Sequence, residues 1–449
     1  QARLIPTSGI NGADEQERRA TSALLAVVGS VHEFGQAVVR PLGAPAGAVE
    51  TYIEVPFKLG DQTLFPDGLI RVQRGRRRWT ALVEVKTGTN LLGGEQIGNY
   101  LDIAREQAFD AVLTISNEIP PTAGTHPTSI DRRKLRKVSL HHLAWSQVLY
   151  MAQVQKEHRG VADPDQAWIL GELIRYLEHP RSGALEFHDM GSNWVTVRES
   201  VAAGTLRATD KTIPDVAARW DGLLRFVSLQ LGRKLGQDVT PVLSRREQSD
   251  PGARLAAIVS ALVDKSVLVG AIRVPNAVGP ITITADLRAS RITCHIDIPA
   301  PQAGRPKTRV TWLLRQLADA PPGARVEAFA AHARGASLAE TLETVRADPT
   351  VLLGDPAKEV RTFRIAMTST MGAKRGRGRG GFITSIEDAV DEFYGVVAQR
   401  LRSWRATPPP IRDVPQSAAE PVGALASTAL SSQDGPDRTP VSPFAGGQS

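Results

Sequence analysis

Phe65-Pro66-Asp67-Gly68-Leu69-Ile70-Arg71-Val72 and Trp79-Thr80-Ala81-Leu82-Val83-Glu84-Val85-Lys86 are the two stretches that decide the fold of this chain. Both are rich in apolar and β-branched residues, and Gly75 lies in the loop between them, so together they predict a β-hairpin. A turn between Gly75 and Arg76 places Asp67 directly across from Glu84. Opposed side chains on paired strands have Cβ atoms about 4.5–5.5 Å apart, and like charges there destabilise the sheet unless a cation compensates. The hairpin therefore predicts a divalent-cation site.

Lys86 adds a third charged group to this site. Because side chains alternate between the two faces of a strand, Glu84 and Lys86 share the face of Asp67, whereas Val83 and Val85 bury the opposite face. Mg²⁺ prefers hard oxygen ligands and is often held by one or two carboxylates together with a substrate phosphate. Mn²⁺ is the expected substitute for it. An ammonium group beside the ion can orient water or neutralise charge in the transition state, so the pattern predicts phosphodiester hydrolysis.

The spacing resembles that of the PD-(D/E)XK nuclease superfamily, here as Pro66-Asp67, sixteen intervening residues and Glu84-Val85-Lys86. A second match, Gln96-Ile97-Gly98-Asn99-Tyr100, is similar to the Gln-xxx-Tyr motif of RecB-like members. The resemblance covers about the first third of the chain. It implies a restriction-endonuclease-like core with the element order αβββαβ. It also implies Mg²⁺-dependent hydrolysis of DNA, in DNA repair or in defence against foreign DNA.

The same resemblance implies roles for individual residues. The expected catalytic and supporting residues are Asp67, Glu84, Lys86, Gln96 and Tyr100. Among them, Asp67 and Glu84 are the expected metal ligands and Lys86 the expected catalytic lysine. Many members add a glutamate from the first helix as a further ligand, and Glu33 is the expected position, with Glu54 on the first strand as the alternative.

Patterning along the chain predicts an α/β fold in three structured parts and a tail. Residues 1–150 form the nuclease-like domain, and apolar residues at helical spacing from residue 22 to residue 38 predict its first helix. Residues 151–265 are a helical region, with Trp168 expected in its core. Residues 266–405 are an α+β domain whose last helix is expected to begin at Thr384, through a capping box with Glu387. Residues 406–449, rich in Pro, Ser, Ala and Gly, are expected to be disordered.

Composition favours a nucleic acid as the partner. The 449 residues carry 54 Lys and Arg against 47 Asp and Glu, for a net charge of +7, and such a surface attracts polyanions. Two basic clusters within the nuclease-like domain are expected to contact phosphates, and a third lies near the end of the α+β domain. Their residues are Arg76, Arg77 and Arg78; Arg132, Arg133 and Lys134; and Lys374, Arg375, Arg377 and Arg379.

Other features of the sequence exclude some classes of protein and bear on the cellular compartment. Cys294 is the only cysteine, which excludes intramolecular disulfides and cysteine-rich metal sites and favours the cytoplasm. No apolar stretch is long enough to predict a membrane span. The chain lacks the GxSxG, HExxH and GxxxxGK[ST] motifs of serine hydrolases, zincins and NTPases.

Two alternatives to a DNA nuclease stay open. One is a nuclease fold that has lost catalysis and acts as a nucleic-acid-binding or scaffold protein. The other is a nuclease directed at RNA, because contacts to phosphates do not distinguish the two sugars. The remaining two thirds of the chain are expected to select the substrate, to form a homodimer or to recruit a partner protein, and the sequence does not decide among these roles.

Overall fold

The computed structural model describes residues 3–119, 126–184, 187, 189–330, 338–354, 359–373 and 380–406. The third basic cluster, Lys374 to Arg379, and the tail residues 407–449 lie outside the described residues. The fold is mixed α/β, as predicted, with one sheet of five strands and one of seven.

The elements of the first half follow the order expected for its sheet, with one insertion. They are α1 (Ala13–Ser30), α2 (His32–Val39), β1 (Ala48–Ile53), β2 (Phe57–Leu59), β3 (Gln62–Leu64), β4 (Gly68–Arg74), β5 (Arg77–Val85), α3 (Gly94–Glu106), β6 (Ala111–Ser116), β7 (Ser139–Ala144), α4 (Trp145–Val154) and α5 (Pro164–Leu177). The short hairpin β2–β3 is an insertion that the expected order αβββαβ does not contain.

The first sheet has the strand order β1-β4-β5-β6-β7, with β5 at its centre. β1, β4 and β5 pair antiparallel, and β5, β6 and β7 pair parallel. All residues of β6 are buried, as expected of a strand that is covered on both faces. One apolar cluster joins α1, α2, α4 and α5 to one face, and a second joins α3 to the other. The centre of the sheet is therefore buried on both faces.

The predicted first helix is two helices. α1 begins nine residues earlier than predicted, and the chain bends by 109° between α1 and the segment that contains α2. Val31 takes an extended conformation at the break. Gly35 permits the bend, because a Cβ on it would lie only 2.3 Å from the carbonyl oxygen of Val28. Apolar periodicity continues across such a break, so it does not reveal it.

The second half contains further helices and the larger sheet. Its elements are α6 (Trp194–Ala203), α7 (Ile213–Leu235), β8 (Thr240–Pro241), α8 (Arg245–Ser249), α9 (Pro251–Lys265), β9 (Val267–Arg273), β10 (Ile281–Asp286), β11 (Arg291–Pro299), α10 (Pro306–Gln316), β12 (Arg325–Ala330), β13 (Leu338–Thr341), α11 (Leu342–Ala347), β14 (Val360–Thr370) and α12 (Phe382–Val396).

The seven-stranded sheet is antiparallel, in the order β13-β12-β14-β11-β10-β9-β8. Its buried residues alternate with half-exposed ones, and the buried set forms one large apolar cluster with α6, α7, α10 and α12. Cys294 belongs to this cluster, and burial raises the pKa of its thiol to about 12. The cysteine is therefore a core residue.

Two predictions about the second half and the middle are wrong. α12 begins at Phe382, with Gly381 as its N-cap and no side-chain cap, so Thr384 and Glu387 form no capping box there. The buried ring of Phe382 packs against Trp194 at a centroid distance of 4.4 Å, so tertiary packing sets the start of the helix. Trp168, expected in the core, is 51% exposed on the outer side of α5.

The described helices of the middle region pack in the cores of the two sheets. α4 and α5 pack in the apolar cluster of the first sheet, whereas α6 and α7 pack in that of the second. Among the described residues, no single helix has the length and hydropathy of a membrane span, and only the bent pair of α1 with the α2 segment meets these criteria when the two are taken together.

Candidate active site

The β4–β5 hairpin brings Asp67 and Glu84 together. The pairing runs from Arg74 opposite Arg77 to Gly68 opposite Val83, which is the register that the sequence predicts, and one further step along it reaches Asp67 and Glu84. Gly75 supports the tight turn with a φ of 58°. Asp67 Oδ2 accepts a hydrogen bond of 2.7 Å from the backbone N–H of Val85, which fixes this carboxylate at the end of β5.

Glycine at the position after Asp67 lets α1 approach closely. A Cβ at Gly68 would lie 2.3 Å from Cδ1 of Leu25 on α1 and 3.1 Å from the carbonyl oxygen of Tyr52, so a larger residue would displace the Leu25 side chain. The Asp-Gly pair therefore marks the place where α1 crosses the start of β4, and it does not mark a turn.

Glu84 is a buried carboxylate that is surrounded by side chains alone. Only 1% of the residue is exposed, and no backbone N–H of the described residues donates a hydrogen bond to either carboxylate oxygen. Lys86 Nζ lies 2.7 Å from its Oε1 as an ion-pair partner, and Asp67 and the phenol of Tyr100 are its other polar neighbours. A buried charge normally has hydrogen bonds from the backbone as well as an ion pair. The charge of Glu84 is therefore balanced by Lys86 alone.

Lys86 also contacts a residue that the sequence analysis missed. Its Nζ donates a hydrogen bond of 2.8 Å to Oε1 of Glu17 on α1. The signal for Glu17 was its spacing, because it lies four, seven and eleven residues before Thr21, Leu24 and Val28, which are all buried on α1. Glu17 thus extends the buried stripe of the first helix by one turn, to the ammonium of Lys86.

Burial dominates the electrostatics of these groups. It raises the pKa of Glu84 to about 8, with help from the charge of Asp67 and against the attraction of Lys86. It also raises the pKa of Asp67, although the hydrogen bond from Val85 opposes the shift. For Lys86, burial opposes the charged form, but Glu84 and Glu17 together outweigh it and raise the pKa of the ammonium. A cation is therefore favoured here, because the two carboxylates are costly to charge on their own.

Gln96 and Tyr100 lie on the same side of α3 and contact each other. Gln96 Nε2 donates a hydrogen bond of 3.1 Å to the phenol oxygen of Tyr100, which in turn donates one of 3.3 Å to the carbonyl of Phe65. Burial and the charge of Glu84 raise the pKa of Tyr100, so its phenol stays neutral. The pair ties α3 to the segment that leads into Asp67.

The two glutamates considered as a further ligand lie in different places. Glu33, on α2, accepts a hydrogen bond of 3.0 Å from the backbone N–H of Ala162, and no described contact joins it to Asp67, Glu84 or Lys86. Glu54 directly follows β1 and shares a cleft with Asp67. Its φ of 52° is a left-handed conformation that is costly for glutamate.

This cleft gives access to the site. Its volume is about 380 Å³, and its lining residues are Asp14, Glu17, Arg18, Glu54, Phe65 and Asp67. Among the described residues, no group of three or more His, Cys, Asp or Glu side chains is arranged to hold a metal ion. Mg²⁺ needs only one or two carboxylates when a substrate phosphate and waters complete its shell. The neighbouring carboxylates of Glu84 and Asp67 can supply these two ligands.

A row of polar side chains continues from Glu84 across the sheet. Thr114 of β6 pairs with Glu84, and His142 of β7 pairs with Thr114. Thr114 Oγ1 lies 2.9 Å from His142 Nδ1 and 2.8 Å from His126 Nε2, and His142 Nε2 lies 2.8 Å from the carbonyl of Glu118. Both ring nitrogens of His142 are therefore engaged, and burial lowers its pKa to about 4.

The two basic clusters within residues 1–150 differ in their surroundings. Arg76, Arg77 and Arg78 are all exposed at the turn of the β4–β5 hairpin. Glu84 lies six positions further along β5 than Arg78, which at about 3.3 Å per position is about 20 Å. This cluster therefore lies at the far end of the hairpin and does not flank the carboxylates.

In the second cluster, Arg132 and Arg133 are exposed. Lys134 Nζ instead contacts Asp102 Oδ2 at 2.6 Å and the carbonyl of Gly98 at 3.0 Å. Its charge is used to anchor its own segment on α3.

Comparison of the chain with protein-family models, with curated proteins and with solved structures finds no match.

Proposed function

We propose that this chain is a divalent-metal-dependent nuclease that hydrolyses phosphodiester bonds of DNA, on a restriction-endonuclease-like core. The observation that carries the proposal is the buried carboxylate of Glu84, which receives no hydrogen bond from the backbone of the described residues and lies next to Asp67 and 2.7 Å from Lys86. Two neighbouring carboxylates that are largely buried, such as Asp67 and Glu84, lower the stability of the fold. Their presence is explained if they bind a cation that in turn binds a phosphate.

In this proposal Asp67 and Glu84 hold the ion, with Glu17 within reach of the same place. A bound Mg²⁺ or Mn²⁺ supplies a Lewis acid for the phosphate and makes water a better nucleophile. Lys86 donates a hydrogen bond to a phosphate oxygen and neutralises the charge that develops there. Gln96 and Tyr100 hold the segment before Asp67 in place. Because Glu84 and Lys86 are little exposed, water screens the electrostatic interactions at the site only weakly.

One observation favours a non-catalytic binding protein as the second candidate. Lys86 bridges Glu84 and Glu17, so its own ammonium already balances charge at the place where an ion would bind. A nuclease must open this bridge when substrate arrives. A retired core would keep it closed and bind nucleic acid through its basic surface.

A cleavage assay on linear duplex, circular duplex and single-stranded DNA tests the proposal, with Mg²⁺, Mn²⁺ or EDTA. We expect cutting that requires the metal and falls at least about 100-fold in Glu84→Gln and in Lys86→Arg, in line with the loss of one preorganised group. Lys86→Arg keeps a cation between the carboxylates of Glu84 and Glu17, so a folding defect would not explain the loss of cutting. Lys58→Met, which removes an exposed lysine of β2, should cut like the wild type.

Each outcome discriminates between the candidates. Cutting that persists in EDTA or in Lys86→Arg would refute the assigned site. Tight DNA binding without any cutting would support the retired core instead. An equal rate on RNA and DNA would extend the substrate class to RNA.

A further inference from the structure

An exposed aromatic ring stands at the mouth of the candidate site. Phe65 is 59% exposed, which is the highest value for any aromatic side chain among the described residues. It lines the same cleft as Asp67, Glu17 and Glu54. Single exposed apolar side chains are common on protein surfaces, so the ring is of interest because of its place beside these carboxylates.

The backbone of Phe65 is fixed although its ring is free. Its carbonyl accepts the hydrogen bond from Tyr100, which Gln96 supports from the next turn of α3. The hairpin β2–β3 leads into Phe65, and Phe57, Leu59 and Leu64 pack against the apolar cluster around α3. The ring is therefore held in its exposed position by anchored neighbours.

The other exposed aromatic rings either contact neighbouring side chains or lie outside the cleft. Tyr52, at the end of β1, has the Arg71 guanidinium 5.5 Å from its ring centroid and donates a hydrogen bond to Glu50. Trp168 is 51% exposed on α5 but does not line the cleft. Within the described residues, Phe65 thus combines a free ring face with a place in the cleft.

We propose that Phe65 stacks on an unpaired base next to the scissile phosphate, and that the substrate of this site is single-stranded DNA. The inference rests on the proposed function. In a duplex both faces of a base are covered by its neighbours, whereas a single strand can turn a base onto an aromatic ring. The cleft of about 380 Å³ is small, as befits a site for about one nucleotide.

Charge in the cleft supports the same conclusion. Four carboxylates line it, against the single cation of Arg18, so phosphates alone are repelled there unless a metal ion is bound. Stacking depends little on charge, because every base has a π-face. It therefore supplies affinity that electrostatics in this cleft does not.

The test is a fluorescence titration with single-stranded oligothymidylates that carry one 2-aminopurine at a series of positions, in Ca²⁺ to hold back cleavage. Stacking on an aromatic ring quenches this base, so we expect wild-type protein to quench it at one position. Phe65→Leu keeps an apolar side chain but should weaken binding about 10-fold and abolish the quenching, as expected when one base–aromatic stack is lost. Phe65→Trp should restore both.

Trp168→Leu is the matched control, because it removes a ring of similar exposure outside the cleft. Wild-type protein that leaves every position unquenched, or equal effects of Phe65→Leu and Trp168→Leu, would overturn the inference. The titration needs no cleavage, so quenching without metal-dependent cutting would refute the proposed function and keep the stacking site. Rapid cutting of fully paired duplex that is insensitive to Phe65→Leu would keep the function and refute the stacking site.

Discussion

Thr114 lies on β6 between Glu84 of β5 and His142 of β7. Its hydroxyl lies within hydrogen-bond distance of both His126 and His142. The rings of these two half-buried histidines meet edge to face at 5.5 Å. A proton on His142 would place a positive charge beside His126 in a partly desolvated position, so the neutral form of His142 is favoured.

His142 should therefore make the stability of the fold depend on pH. Burial lowers its folded pKa to about 4 from the ordinary value of 6.5, so the unfolded chain binds this proton more readily. Its contribution is complete above pH 6.5 and is lost as the pH falls toward 4. Between pH 7 and pH 4.5 the loss is about 2–3 kcal/mol. Urea unfolding at both pH values measures it.

His142→Gln should remove this part of the pH dependence, although it also lowers stability at pH 7 through poorer packing. His32→Gln, at an exposed histidine, is the control and should leave the difference between pH 7 and pH 4.5 unchanged. Burial also lowers the pKa of His126 and His141, so some loss at low pH should remain. A difference in the His142→Gln protein as large as in the wild type would show that His142 takes up its proton without cost.

At the scale of elements, the register of the β4–β5 hairpin was predictable, whereas the ends of its strands and the neighbouring elements were predictable only in part. A two-residue turn at Gly75 fixes the register of every pair along both strands, so local signals suffice. The helix start at Ala13 and the short hairpin β2–β3 depend on packing against distant residues. For the same reason Asp67 and Glu84 could be paired from sequence, whereas the spacing of Glu17 indicates only that it lies on the buried side of α1 and not that it contacts Lys86.

The turn of this hairpin carries Arg76, Arg77 and Arg78 about 20 Å from the carboxylates, by strand rise. Replacing all three with Gln should weaken binding of long DNA and reduce its salt slope by about 2–3, since each lost phosphate contact removes about one counterion. Oligonucleotides that end within about 20 Å of the cut site should bind as before. Fluorescence anisotropy over a range of salt concentrations, with short and long DNA, measures both effects.

Lys134→Gln is the matched control for this prediction. Lys134 is paired with Asp102 and the carbonyl of Gly98, so its loss should lower the melting temperature and leave the salt slope of binding nearly constant. The opposite result, a flatter slope for Lys134→Gln and an unchanged one for the arginine variant, would reverse the roles of the two clusters.

At the scale of the whole molecule, the described residues divide their apolar side chains between two sheets. The first sheet forms its core with α1 to α5, and the second with α6, α7, α10 and α12. Where α4 meets α7, hydrogen bonds join the halves: Tyr150 donates to Asp238 at 2.9 Å, and Arg233 donates to Gln153 at 3.4 Å. Polar contacts of this kind stabilise an interface less than a shared apolar core does.

We therefore expect the two cores to unfold in two steps. Phe382→Ala would leave a cavity between Trp194 and Trp220 in the second core, at a cost of about 3–5 kcal/mol. Leu113→Ala would do the same to the first core, in the strand beside β5. Differential scanning calorimetry should show two transitions, with each variant lowering only one of them by about 10 °C. A single transition that either variant shifts as a whole would mean that the α4–α7 contacts couple the cores, and then changes in the second sheet would reach the candidate site.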